Sequence, residues 1–337
     1  MWECQNLFIC FGLLLLLYTI FAVVFYSRSL LFVGPFPQSA LEVVKDRTLT
    51  LVLLHLAVFL AGWTGIFGRM ISLSGFPLVW WRVMVAVPSL IVCLSLLKRM
   101  HKVIPSKALK IAFLGIILSL HWVAFYASIQ ASNVSIGVTC IATSSFFTTI
   151  FDPLINRKRF SFVDAVISFI AIAGVLLIFS LDIRYRLGIA LGLLSAALYS
   201  VFSILNINVS KSTGEDSGTM LLYELVGGVV FLSLVMPLYS LIFPSEPVVP
   251  TGKDILCLVL LGSVFTVVPF MFQLMALRRL SAFTVNLTYN LEPLYSILFA
   301  ALIFGETREV GFSFWMGIFL VVVSVAVQTV RVRRAPE

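Results

Sequence analysis

The sequence predicts an all-α integral membrane protein, a ten-helix bundle of two inverted five-helix repeats plus one extra N-terminal hydrophobic helix. Three observations carry that expectation. Of 337 residues, 61% are apolar and 11% charged, with a mean hydropathy of +1.09, against about 25% charged in an ordinary soluble domain. The charges, 23 basic and 15 acidic, gather in short stretches between long uncharged ones, as in a polytopic helical protein. The chain also overlays weakly on itself. The first two observations exclude soluble enzymes, nucleic-acid binders and disordered chains. The net charge of +8 does not point to nucleic acid, because the basic residues sit at helix ends. A β-barrel would alternate apolar and polar residues, and runs such as Leu13-Leu14-Leu15-Leu16-Leu17 do not.

Each helical crossing takes roughly 20 residues. The extra helix is placed at Leu7–Tyr26, and ten further spans follow. Spans 1–5 are Thr48–Gly68, Phe76–Leu97, Ala108–Ile129, Val134–Ile155 and Phe162–Leu181. Spans 6–10 are Leu187–Asn206, Thr219–Ile242, Ile255–Leu277, Ala282–Phe304 and Gly311–Val330. The domain expectation is therefore an extra helix and cytoplasmic linker over 1–47, repeats over 48–181 and 182–330, and a basic cytoplasmic tail over 331–337.

The extra segment begins MWECQN, without a basic leader or small-residue cleavage site, and so fits a cleaved signal peptide poorly. It is a signal anchor, a peripheral helix, or sequence upstream of the authentic start. Counting Lys and Arg in alternate loops gives 17 on one side, including Lys98, Arg99, Lys158, Lys211, Arg278, Arg279 and Arg331, against 5 on the other: Arg69, Arg184, Arg186, Lys253 and Arg308. The positive-inside rule places the richer side, and the C-terminus, in the cytoplasm. The expected location is the inner (plasma) membrane.

The internal repeat is a pattern match. Leu114-Gly115 falls on Leu261-Gly262 at an offset of 147, Ala131 to Arg159 on Arg279 to Thr307 at 148, and Trp81-Arg82-Val83 on Tyr223-Glu224-Leu225 at 142. A unit of five crossings inserts its second copy upside down, which is the plan of secondary transporters whose substrate sits near the midplane.

With Arg278-Arg279-Leu280-Ser281-Ala282, Leu291-Glu292-Pro293-Leu294 and Gly305-Glu306, the chain resembles the EamA-type transporters of the drug/metabolite transporter superfamily over about residues 48–330. The likeness is strongest in spans 8–10. In the first half Ser144-Ser145 replaces the Glu-Pro pair and Arg157-Lys158 stands in place of Gly-Glu; the extra helix is a departure. The resemblance implies a ten-helix inner-membrane exporter or importer of amino acids or other small metabolites.

Charged groups within a membrane are functional candidates. On a helical wheel Asn286, Tyr289, Asn290, Glu292, Pro293 and Ser296 fall within an arc of about 160°, with Leu287, Leu291, Leu294 and Leu298 opposite. A polar stripe facing a cavity is expected. Glu292 lies near the centre of its span, where a carboxylate is costly to leave ionised, so it either carries a coupling proton or sits neutral in the bundle. Arg82 either clamps a substrate carboxylate, snorkels to the headgroups or pairs structurally. Glu224 is its repeat partner at a different depth, so a direct pair between them is not expected. Trp63, Trp122 and Tyr126 either line an amphipathic pocket or simply pack.

Asp152 reads as a structural ion-pair partner for the basic run Arg157-Lys158-Arg159, and Gly188, Gly192, Gly227 and Gly228 as close-packing positions. His55 and His121 have no metal-ligand spacing around them. The five cysteines read as inert thiols, and the sequons at Asn133, Asn208 and Asn286 as chance matches. No catalytic residue, cofactor or metal is expected; the expected partners are a small-molecule solute and the lipid bilayer. The sequence reading is thus a secondary transporter of a small organic metabolite, working by alternating access with a proton as candidate coupling ion. Monomer and homodimer both stay open. The alternatives are a lipid scramblase, a non-transporting membrane assembly protein, or an intramembrane enzyme.

Overall fold

The computed structural model describes residues 47–132, 134–178, 186–296, 299 and 312–334; the expected extra helix, Asn133, and the Gly305-Glu306 pair lie outside them. Among the described residues the regular elements are helices. They are α1 (Arg47–Ala61), α2 (Trp63–Met70), α3 (Gly75–Leu96), α4 (Pro105–Ala131), α5 (Val134–Ile141), α6 (Ser144–Asn156) and α7 (Phe162–Ile178). There follow α8 (Arg186–Thr213), α9 (Ser217–Ile242), α10 (Gly252–Ser263), α11 (Val267–Leu277), α12 (Ala282–Thr288), a 3-10 turn at Tyr289–Leu291, and α13 (Phe312–Arg334). Six stretches are long and apolar enough to cross a membrane: Leu49–Met70, Gly75–Leu96, Pro105–Ala131, Arg186–Thr213, Ser217–Ile242 and Gly252–Leu277. Shorter apolar helices occur at Phe162–Gly174 and Met316–Arg331. The protein is a multi-pass helical membrane protein.

The helix ends follow local chemistry. Asp216 caps α9 by accepting from the Gly218 and Thr219 amides, and Thr251 with Asp254 forms a reciprocal capping box on α10. Pro105 opens α4, where a missing N–H costs nothing. Gly214, at φ +72°, turns the chain between α8 and α9 in a conformation that side chains disfavour.

Four of the expected spans are not continuous helices. Span 1 divides at Gly62, span 4 at Ala142–Thr143, span 8 at Val264–Thr266, and span 9 at the 3-10 turn, after which residues 292–296 resume the helix. Hydropathy over a whole span missed these because each interruption is short against the span's length. Serine and threonine hydroxyls serve the carbonyls at the breaks: Thr64 donates to Ala61, Thr143 to Cys140 and Thr266 to Leu261. Such internal satisfaction is what lets broken helices exist at membrane depth.

The principal packing partners are α4 with α8, α1 with α11, α4 with α9, α3 with α10, and α7 with α13. Lipid tails supply no hydrophobic gain for helix association, so contact quality decides it. The α4–α9 seam is closest: a Cβ on Gly115 would lie 1.7 Å from the Glu224 carbonyl oxygen, and one on Gly227 2.2 Å from that of Ala112. Gly188 and Gly192 on α8 abut Ser132 and Cys140. Outward faces carry exposed apolar side chains such as Leu96, Leu109, Phe113, Leu234 and Leu241.

The loops divide into two ends. At one, His101 bonds Glu215 at 2.8 Å, Lys107 donates to Thr213 O, and Arg331 pairs with Asp164 at 2.8 Å. At the other, the segment after α2 is stitched down. Asp254 accepts from the Ser72 amide (2.8 Å) and hydroxyl (2.6 Å), Gln130 accepts from Gly75 N, and the Ser74 and Tyr239 hydroxyls share a hydrogen bond. There Trp81 Nε1 also reaches Val248 O.

Candidate functional site

Arg82, on α3, is 1% exposed. Its Nε donates to Thr266 Oγ1 at 2.7 Å and its Nη1 to Tyr126 Oη at 3.2 Å, while its Cζ stands 4.3 Å above the Trp122 ring. The break between α10 and α11 places Thr266. Its hydroxyl proton goes to Leu261 O, which leaves a lone pair for the guanidinium. The cation is held by neutral oxygens and an aromatic face. Among the described residues no carboxylate lies within ion-pair distance of it. Snorkelling is excluded by this geometry, since the head group points into the bundle.

Glu292 follows the 3-10 turn and is 8% exposed. Thr64, just past the Gly62 break, donates to its Oε1 at 3.4 Å, and Ser296 one turn on donates to Gly62 O at 2.8 Å. Glu292 and Arg82 are not bonded to each other, yet they lie within electrostatic reach of one another and of Tyr126 and Tyr289. The fold thus buries one cation and one carboxyl within electrostatic reach of each other. Trp63 stacks on Phe299 with centroids 4.4 Å apart and tilts on Phe265 at 5.6 Å.

The single polar stripe expected along span 9 is corrected. The 3-10 turn shifts the register, and the polar residues answer to different neighbours. Asn286 donates to Thr148 Oγ1 at 2.7 Å and accepts from Ser203 Oγ at 2.9 Å, tying α12 to α6 and α8. Tyr289 donates to Gln273 Oε1 at 3.0 Å and packs edge-on against Tyr199. Among the described residues Asn290 makes a single long contact, 3.4 Å to Ser145 Oγ. The opposing Leu287 and Leu291 are buried at 0% and 8%, so that face meets neighbouring helices and not lipid. Trp63 Nε1, Ser144 Oγ, Tyr199 Oη, Gln273 Nε2 and Asn290 Oδ1 are buried with no protein hydrogen-bond partner among the described residues. Such atoms are uncommon in a native interior.

Glu224 stands apart. It is fully buried on α9, where its Oε1 accepts from Asn206 Nδ2 at 2.6 Å and its Oε2 has no partner among the described residues. It makes no contact with Arg82. Asp152 pairs with Lys158 at 3.0 Å near the helix end. His55 bonds Leu51 O, and His121 bonds Ser195 while stacking on Tyr199. Sequence reasoning did not single out Thr64, Thr266, Gln273 or Asn206. A glutamine or asparagine inside an apolar span carried a signal; the two threonines gained their meaning only from the breaks.

A family profile described as the EamA-like transporter family matches the chain twice, over residues 48–180 and 186–330. The chain belongs to that family. Its membership in the EamA-like family accounts for the multi-pass helical architecture and makes it a member of a transporter family. A protein from Clostridium kluyveri named only as an uncharacterized transporter is 24% identical over 200 residues, covering 55% of this chain and 60% of that relative's length. A crystal structure of a protein given no further description superposes with a TM-score of 0.66 at 15% identity, covering 84% of this EamA-like chain and 98% of the other. That likeness concerns the fold alone.

Proposed function

We propose that this protein is a secondary transporter of a small organic solute bearing ionised groups, an amino acid or a related metabolite. It moves the solute by alternating access between the halves 48–181 and 182–330. The observation that carries the reading is the pair Arg82 and Glu292, two buried and oppositely chargeable groups within electrostatic reach of each other but not bonded together. Arg82 presents the fork that takes a carboxylate bidentately. Glu292, Tyr289, Asn290 and Gln273 offer acceptors and donors for the remainder of the solute. Glu292 is also the proposed carrier of a coupling proton.

Several features support ten crossings arranged as inverted repeats. The breaks at 142–143 and 289–291 coincide at the offset of 148, and interruptions at matching places in two halves are the usual pointer to a transport site. The packing pairs exchange under the same operation, α4–α8 with α1–α11 and α4–α9 with α3–α10. Gly115 abuts the carbonyl of Glu224, while Gly262 abuts the carbonyl of Arg82, 2.8 Å from a would-be Cβ. Each glycine of the Leu-Gly pairs thus meets the repeat partner of the other's neighbour. By the basic-loop count the end holding Arg278, Lys158 and the C-terminus is cytoplasmic in a plasma (inner) membrane.

The test is uptake of an amino-acid and metabolite panel into proteoliposomes, with and without an imposed proton gradient. Gradient-stimulated accumulation of a carboxylated solute is expected. Absence of movement for every solute, in vesicles shown to hold folded protein, refutes the reading.

A further inference from the structure

At the end that carries most of the basic loops, the ends of α6, α8 and α11 and the start of α12 line an open-mouthed pocket of about 280 Å³. It lies away from Arg82 and Glu292 and shares no residue with them. Four basic side chains line it, Lys158, Lys211, Arg278 and Arg279, against one acidic side chain, Asp152. The carboxylate is already satisfied: Lys158 holds it at 3.0 Å and Asn156 donates to it as well. Arg278 is anchored through neutral oxygens, with Nε donating to Ser210 Oγ at 3.3 Å and Nη2 to Glu215 O at 2.6 Å. Lys211 and Arg279 have no acidic partner among the described residues. Four exposed cations from three separate helix ends are thus gathered around one open-mouthed space, a positive rim that favours an anion. Ile204, Ile207 and Leu277 supply an apolar wall.

We propose that this pocket binds a phosphate-bearing anion, with Lys211, Arg278 and Arg279 as its ligands and the apolar wall taking the adjoining carbon atoms. Two sources share that chemistry, the headgroup of an anionic phospholipid and a soluble phosphate ester. Guanidinium groups match phosphate geometry, and basic pockets between helices at a membrane face take headgroups of this kind. The site is independent of what the central residues carry, so it stands or falls apart from the transport reading.

The experiment uses the full chain in nanodiscs of pure phosphatidylcholine, or of phosphatidylcholine with phosphatidylglycerol, and compares the unchanged protein with Lys211→Gln/Arg279→Gln. Both removed charges are exposed, and size exclusion checks that the variant folds. Binding is read as the midpoint of a titration of thermal stabilisation, against phosphatidylglycerol fraction in one arm and glycerol 3-phosphate in phosphatidylcholine discs in the other. Removing each cation weakens binding about fivefold, so the double variant shifts the midpoint about 25-fold. A shift in the phosphatidylglycerol arm alone assigns the site to lipid, and a shift in the glycerol 3-phosphate arm assigns it to a soluble ester. Equal midpoints for variant and unchanged protein in both arms, or no stabilisation in either, overturn the proposal.

Discussion

At the scale of single residues, Arg82 shows why position and chemistry must be read together. An isolated charge at a helix centre costs about 2.5–3.5 kcal/mol to insert. Here two hydrogen bonds and a tryptophan face offset part of that cost. A lysine cannot reach Thr266 and Tyr126 in one plane while lying flat on Trp122. Arg82→Lys should therefore lower the apparent affinity for carboxylated solutes about 10- to 100-fold, corresponding to one or two lost charge-assisted bonds, and affect neutral analogues less. Competition uptake with matched acid and amide solutes checks this; equal losses for both would assign Arg82 a structural role. Glu292→Gln keeps the hydrogen bond from Thr64 but removes the proton-binding group. Its transport should lose dependence on the proton gradient while insertion and folding yield stay unchanged, as measured in paired proteoliposomes. The sequence exposed both residues because an ionisable group in an apolar span is conspicuous. It could not say that they lie within electrostatic reach of each other, because α3 and the segment after α12 are far apart in the chain and are brought near only by the fold.

At the scale of elements, the helix seams rest on small residues. Gly115→Ala forces a methyl group into the Glu224 carbonyl, so α4 and α9 must separate. Overpacking of this kind costs about 1–3 kcal/mol, and the thermal midpoint in detergent should fall accordingly. Gly214→Ala, where nothing lies near the added carbon, should cost less and act only through its positive φ. Comparing the two midpoints separates crowding from backbone strain. Six of the expected spans were legible in the sequence because hydropathy over about 20 residues reports burial in lipid directly. The breaks were not. At Gly62 and Ala142–Thr143 the composition does not change, and a 3-10 turn over Tyr289–Leu291 alters the angular register by an amount that a fixed 100° step does not contain. For that reason Asn286 and Glu292, placed on one stripe by the wheel, are served by different helices.

At the scale of the whole molecule, the end bearing His101 is held by a cluster that titrates. His101 and Glu215 share a 2.8 Å bond, Lys107 adds a 3.4 Å contact, and Arg278 reaches the Glu215 carbonyl. The bond to Glu215 raises the imidazole above its ordinary range, and the bond from His101, then Lys107, lowers the Glu215 carboxyl. The His101 contribution is complete below the ordinary histidine range and disappears as pH rises through the raised value. The Glu215 contribution is complete above the ordinary carboxylate range and fades as pH falls through the lowered value. Stability should therefore decline on the alkaline side of neutrality, and His101→Gln should flatten that part of the profile, as followed by thermal midpoints from pH 5.5 to 9. An unchanged slope would remove His101 from this role.

The stitching at the opposite end has a kinetic meaning. Asp254 holds Ser72 through two short bonds while Gln130 and Tyr239 grip the same segment. On the proposed cycle, parting that segment breaks charge-assisted bonds worth about 1.5–3 kcal/mol each. Two such bonds bias a two-state carrier by roughly a hundredfold or more toward the conformation that keeps them. On that cycle these bonds favour the conformation in which this end is shut, against the bonds from His101, Lys107, Arg278 and Arg331 that hold the other end. Asp254→Asn should then speed net flux more than exchange, which never requires the empty carrier to reorient; an unchanged ratio of the two rates would detach Asp254 from the proposed cycle.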